Sequence, residues 1–298
     1  MNFFEILDNL KRNNNAVILY SLLNRIPIFV FGHNTEKIDN FLIELSELIP
    51  FRKEYVFHTD FVSLDDYNNL ISNEYIDFNS QRVHIRCPCS VSFKAITEFN
   101  DLSSWVIGIE IPKKKVNFLF IKELIKSKEY KKLFITISSD KIVLDMDNIN
   151  LKSLDLILEQ NIFKKISQDT EKSIIKMKRV LNDRIMTNLL DKDLVVTLLD
   201  FEIEKIELKK SILKKELQNF YSGSKRAFFI LSRLSLLNNV EIHTKIGSKT
   251  LLETIDYEQV PIERILSFIE REWGEDFTNL IEDGKKTFIG DKIVSLWG

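Results

Sequence analysis

Apolar positions recur in two rhythms along this chain, and the change between them falls near residue 150. In the first half, short continuous apolar runs alternate with stretches whose apolar residues return every three or four positions. Residues 26–31 (IPIFVF) form such a run, closed by Gly32. Continuous runs of this length characterise strands buried on both faces. Ile38, Phe41, Leu42, Leu45 and Leu48 then fall on one helical stripe, which Pro50 stops. The same alternation predicts strands over 54–60, 82–89, 105–111, 133–138 and 141–145. It predicts helices over 2–24, 63–74, 90–102 and 116–128, with Ser63 and Asp66 at capping-box spacing. Strands alternating with helices imply an α/β fold, here a three-layer, largely parallel sheet domain over residues 1–150.

Beyond that point the rhythm is helical. Residues 151–166 and 173–190 carry it, and 191–221 read as a longer helix, charged on its outer face and ended by Gly223. A helix over 225–237 follows, then an extended piece over 240–246 and a helix over 261–273 with Pro261 in its first turn. Residues 151–298 are therefore expected to form a mainly α-helical domain with a long helical hairpin and a small terminal subdomain. Its apolar seam (Leu194, Leu198, Phe201, Leu208, Ile212) is broken by Lys205, which favours a hairpin packed on itself or on a partner over a regular coiled coil. The apolar tail at 288–298 is expected to dock.

Composition narrows the class. With 44% hydrophobic and 29% charged residues, the 298-residue chain has the makings of a folded globular protein. Only 8 Gly and 5 Pro stand against 22 Phe, which favours long helices and few elaborate loops. A net charge of −2 supplies no global attraction to nucleic acid or anionic lipid. No apolar run approaches the roughly 18–20 residues that span a bilayer. The N-terminus lacks a charged-then-apolar signal pattern, so a cytoplasmic protein with no membrane partner is expected.

Candidate chemistry is sparse. Cys87 and Cys89 could begin a zinc site, but no further cysteine exists, and as strand residues they share an apolar face with Val83 and Ile85. His33 and His58 end neighbouring strand segments, with Asp60 close by, which would make a small polar site. Arg52 and Lys53 read as solvated turn residues. The basic cluster Lys209, Lys210, Lys214 and Lys215 is interleaved with Glu202, Glu204, Glu207 and Glu216, as in a salt-bridged exposed helix face. Arg264 and Arg271 are likewise offset by Glu263, Glu270 and Glu272. No H-E-x-x-H, G-x-G-x-x-G or G-x-S-x-G motif occurs.

One constellation remains. A strand ends at Gly32, a turn carries His33, Asn34, Thr35 and Glu36, and a helix opens with Lys37, Ile38 and Asp39. A later apolar strand (WVIGIE) ends in Glu110, and another leads into Ser138 and Ser139. Over residues 26–140 this resembles a P-loop nucleotide-binding domain, in which backbone N–H groups and a helix N-terminus cradle phosphate and an acid sits at a strand end. The chain departs from the pattern. The second Gly is missing, Lys37 comes one place early, Ile38 stands where the phosphate-binding lysine belongs, and Glu36 and Asp39 would repel phosphate.

The resemblance implies that a ligand would be held by Gly32, Asn34, Thr35 and Lys37, with Asp60 and Glu110 across the strand ends. It implies nucleotide as the one cofactor class to consider, with no catalytic or metal residues retained. The function expected is a non-catalytic regulatory or scaffolding protein that meets a protein partner, or itself, through its helical half. Two alternatives stand beside it: a nucleotide hydrolase or transferase with a variant loop, and a nucleic-acid-associated factor acting through the C-terminal helices.

Overall fold

A computed structural model describes residues 12–72, 74, 81–111, 115–138, 142–147, 151–185, 202–242 and 244–282. The first half runs α1 (Arg12–Leu23), β1 (Ile28–Gly32), α2 (Thr35–Ser46), β2 (Lys53–Val56), α3 (Leu64–Ile71), β3 (Val83–Cys87), α4 (Ser92–Glu98), β4 (Trp105–Glu110), α5 (Lys115–Lys126), β5 (Lys132–Ile137) and β6 (Ile142–Asp147). The second runs α6 (Ile157–Ile185), α7 (Glu202–Asn239), β7 (Ile246–Gly247), α8 (Ser248–Thr254), α9 (Ile262–Trp273) and β8 (Ile281–Glu282).

The strands form a six-stranded sheet in the order β2-β3-β4-β1-β5-β6. All its pairs are parallel except β5 with β6. The continuous apolar runs explain the centre, because β1 is buried at every position. Alternate residues enter different clusters, as the period of two requires. Ile28 and Val30 join Val106, Leu133 and Ile135 in the larger cluster, which takes in α1, α2 and the C-terminal helices. Phe29 and Phe31 join Ile107, Ile109 and Phe134 in a cluster that takes in α4 and α5. There Phe57, Phe61, Phe99 and Trp105 pack ring against ring, at centroid distances of 5.0 to 6.1 Å. Part of the phenylalanine excess is thus explained. The Ser63–Asp66 capping box opens α3 as its spacing predicts.

The C-terminal region is helical, with α6 packed on α7. The segments expected at 151–166 and 173–190 are joined in one continuous helix, α6, over Ile157–Ile185. Gly223 does not stop a helix but lies inside α7, where a Cβ would come 3.2 Å from Ile255 Cβ. The glycine serves close approach of the α8 end, not chain reversal. The expected strand at 240–246 shrinks to the two residues of β7, paired with β8. Residues 186–201 and the apolar tail at 288–298 lie outside the described residues. Among those described, no helix is long and apolar enough to cross a membrane.

The two halves meet at the C-terminal end of α1, where a helix presents unpaired carbonyls and partial negative charge. Arg52 donates to Leu22 O at 2.7 Å and to Leu23 O at 3.1 Å. It also grips Glu272 of α9 with two bonds, 2.9 and 2.8 Å. Arg271 donates to Asn24 O at 2.6 Å and Arg264 to Asn24 Oδ1 at 3.2 Å. Arg52 is therefore not a solvated turn residue, since its side chain is 1% exposed. Burial among apolar neighbours and a carboxylate 220 residues away decides its role. Lys210 and Lys214 also leave the expected pattern, reaching across to Glu47 at 3.1 and 2.7 Å.

Candidate functional site

In a parallel sheet a ligand crevice opens at the carboxyl ends of adjacent strands whose connections leave to different sides. Here β1 leads into α2, in the larger cluster, and its neighbour β4 leads into α5, in the smaller one. Gly32 and Glu110 are register partners at this point, and Gly32 is also paired with Ile137, the residue before Ser138. The sheet therefore brings together the ends of the three strands that carry the motif residues.

The details are tight. Only His33 and Asn34 separate β1 from α2. Ile111 N donates to Gly32 O at 2.6 Å, and His33 Nδ1 lies 3.2 Å from Ile111 O, so backbone and imidazole bridge β1 to β4. Asn34 caps α2, its Oδ1 accepting from Lys37 N at 2.9 Å. Thr35, Glu36 and Lys37 are exposed, and Glu36 in the first turn places negative charge at the positive end of the helix. Ile38 turns inward, where its Cδ1 would stand 3.2 Å from a Cβ at Gly32. Asp39 Oδ1 accepts from Cys89 N at 3.0 Å, tying the first turn of α2 to the segment after β3.

Cys89 corrects one expectation. The strand stops at Cys87, Pro88 redirects the chain, and the two thiols enter different clusters, Cys87 the smaller and Cys89 the larger. Cys89 Sγ sits over Gly108 of β4, 2.7 Å from where a Cβ would be. Burial, with Asp39 nearby, pushes both thiols well above their ordinary range and disfavours the thiolate.

Asp60 stands apart. It lies beyond β2, and β3 and β4 intervene between β2 and β1. Its Oδ2 accepts from Val56 N at 2.6 Å, a local turn closure. His58 follows β2 and His33 follows β1, so the same two strands part them; the strands succeed one another in the chain but are not neighbours in the sheet.

One polar cleft of about 450 Å³ lies elsewhere, lined by Asn161, Lys164, Lys165, Gln168 and residues 256–259. Its cation position is already taken. Lys165 Nζ lies 3.8 Å from the Tyr257 ring centre, donates to Asp256 O at 2.9 Å and stands 3.4 Å from Glu216. No spacing in the sequence announces these contacts.

No family model, curated protein or solved structure matches the chain.

Proposed function

We propose that this is a non-catalytic regulatory or scaffolding protein whose α/β half is a nucleotide-binding-type domain that has lost its catalytic residues. The observation that carries the proposal is the state of the β1–α2 junction. A phosphate cradle needs a loop long enough to aim several backbone N–H groups at one anion. Here the connection has two residues, Lys37 N is bonded to Asn34, Ile38 faces the sheet, and Asp39 is committed to Cys89. Any nucleotide held at Gly32, Asn34, Thr35 and Lys37 would meet Glu36 and Glu110 before a free cation other than Lys37.

We further read α2 and the α4–α5 pair as outer layers of a three-layer domain, and α6 with α7 as the arms of a hairpin. The two hydrophobic clusters and the packing of α6 on α7 support this. The helical half is the partner-binding half. Phe229 and Leu236, seven residues apart along α7, and Val240 just past its end stand 39%, 56% and 64% exposed.

Thermal unfolding of the whole chain with ATP or GTP at millimolar concentration, with and without magnesium, tests the proposal. The expected result is no magnesium-dependent rise in Tm and no phosphate release, since a ligand of the native state must raise Tm in proportion to its saturation. A magnesium-dependent rise accompanied by turnover would overturn it.

A further inference from the structure

A second buried arginine–glutamate pair lies beside Arg52–Glu272, and it is bonded differently. Glu159, in the first turn of α6, is 0% exposed. Its Oε1 accepts from Arg264 Nη2 at 2.5 Å. Among the described residues its Oε2 has no hydrogen-bond partner, and neither has Arg264 Nε. Three elements converge on the pair. From α9 come Arg264 and Arg271; from α1 comes Tyr20, whose ring lies 4.7 Å under the Arg264 guanidinium, and from just past its end Asn24, which accepts from both arginines. Asp155 stands just before α6 and adds negative charge.

A buried carboxylate with one oxygen unpaired is costly, whereas the neutral acid is far cheaper to hold there. Burial accordingly raises Glu159 from 4.5 to about 7, outweighing the pull of Arg264, with Asp155 adding to the rise. We propose that Glu159 and Arg264 form a proton-operated joint: protonated Glu159 keeps the first turn of α6 seated against α1 and α9, and ionised Glu159 loosens that seat.

The sign follows from linkage. A folded state that holds the proton more tightly than the unfolded chain is favoured below 4.5, and the gain is lost as pH rises through about 7. His84 slopes the other way. Fully buried against Ser46 Oγ, it is lowered from 6.5 to about 3, mainly by desolvation and then by Arg52, so its contribution is lost as pH falls below 6.5. Only a difference between two proteins that both keep His84 isolates the joint.

The test is hydrogen exchange of the whole chain, wild type against Glu159→Gln, between about pH 5 and pH 8, corrected for intrinsic exchange. Glutamine keeps the shape and the Oε1 acceptor but cannot ionise. The expected result is that opening of residues 157–166 increases on the order of a hundredfold in the wild type across this range, relative to the variant. Parallel profiles in the two proteins would overturn the proposal. Carbon-13 titration of the wild-type Glu159 carboxyl gives a readout that does not depend on the variant folding. A midpoint near 7 supports the joint, and a midpoint near 4.5 overturns it.

Discussion

The sheet end at β1–β4 and the joint around α1 use polar groups in opposite ways. At the sheet end each bond joins a single side chain to neutral backbone: Asn34 caps a residue three positions on, His33 meets Ile111 O, and Asp39 accepts from Cys89 N, 50 positions away. At the joint Arg52 and Glu272 are 220 positions apart, and Arg271 and Asn24 247. Local bonds seal a turn, whereas distant ones are made only when the whole chain has assembled. Buried charges hold the two halves together at this joint, and others are paired inside the α/β half, Glu74 with Arg25 and Lys132 with Asp147.

The sharpest way to break the comparison is at Arg52. Replacing it by alanine strands the Glu272 carboxylate in the core and strips Leu22 O and Leu23 O of their donors. The expected loss is about 3–5 kcal/mol, read from the urea midpoint of unfolding. Arg52→Met with Glu272→Leu should recover most of it, because an apolar pair removes the stranded charge as well. If the double variant is no more stable than Arg52→Ala, the bond network does not dominate the joint.

At the sheet end the comparable probe is steric. A Cβ at Gly108 would meet Cys89 Sγ at 2.7 Å and Ile38 Cγ2 at 2.9 Å, while one at Gly32 meets nothing closer than 3.2 Å. Gly108→Ala should therefore cost about 1–3 kcal/mol and Gly32→Ala less, with Cys89→Ala recovering part of the Gly108 loss. A neutral Gly108→Ala would mean that the thiol and the first turns of α2 move aside easily, and that the junction is looser than its contacts suggest. A β-branched residue at Gly32 would press on Ile38 and Ile137 O, so it strains the fold as well as any ligand site.

These two regions were unequally legible in the sequence. The central strands β1 and β4 announce themselves as apolar runs, because a strand buried on both faces needs apolar residues at every position, whereas the outer strands β2 and β6 are partly exposed and carry polar residues. Ser63 and Asp66 announce their cap because its geometry is contained in four residues. Gly223 was misread for a physical reason: a glycine that ends a helix and one that admits a neighbour differ only in what approaches, here Ile255. That Gly32 and Glu110 each end a strand is legible, but their adjacency and the distance of Asp60 both depend on strand order, which no local pattern encodes. The joint was invisible. Arg52, Arg264 and Glu272 look like ordinary surface charges, since nothing near them in sequence records that their partners arrive from the other half.

A milder probe sharpens the sheet-end side. Asn34→Ala frees Lys37 N and removes the cap of α2, which should cost about 1 kcal/mol. Thermal unfolding in phosphate and in chloride buffers then separates two cases. Equal losses in both mean that Asn34 only caps. A loss smaller in phosphate than in chloride would mean that an anion takes the freed N–H, and that the cap had been masking an anion site.

The smallest effect separates burial from sequence distance as the source of strength in the joint. Glu47 is bonded by Lys214 at a separation of 167 positions and by Lys210 as well, so by distance in the chain it belongs with Arg52–Glu272. Yet its side chain is 42% exposed, where theirs are 1% and 2%. The Lys214 hydrogen bond, helped by Lys210, outweighs partial burial and holds the Glu47 carboxyl below its ordinary value. Its contribution is therefore present above 4.5 and lost as pH falls through the lowered value. Glu47→Gln should cost under about 1 kcal/mol at neutral pH, and less in high salt than in low, because solvent and ions screen an exposed pair. A cost approaching that of Arg52→Ala, unmoved by salt, would show that assembly across the chain and not exclusion of water makes these contacts strong.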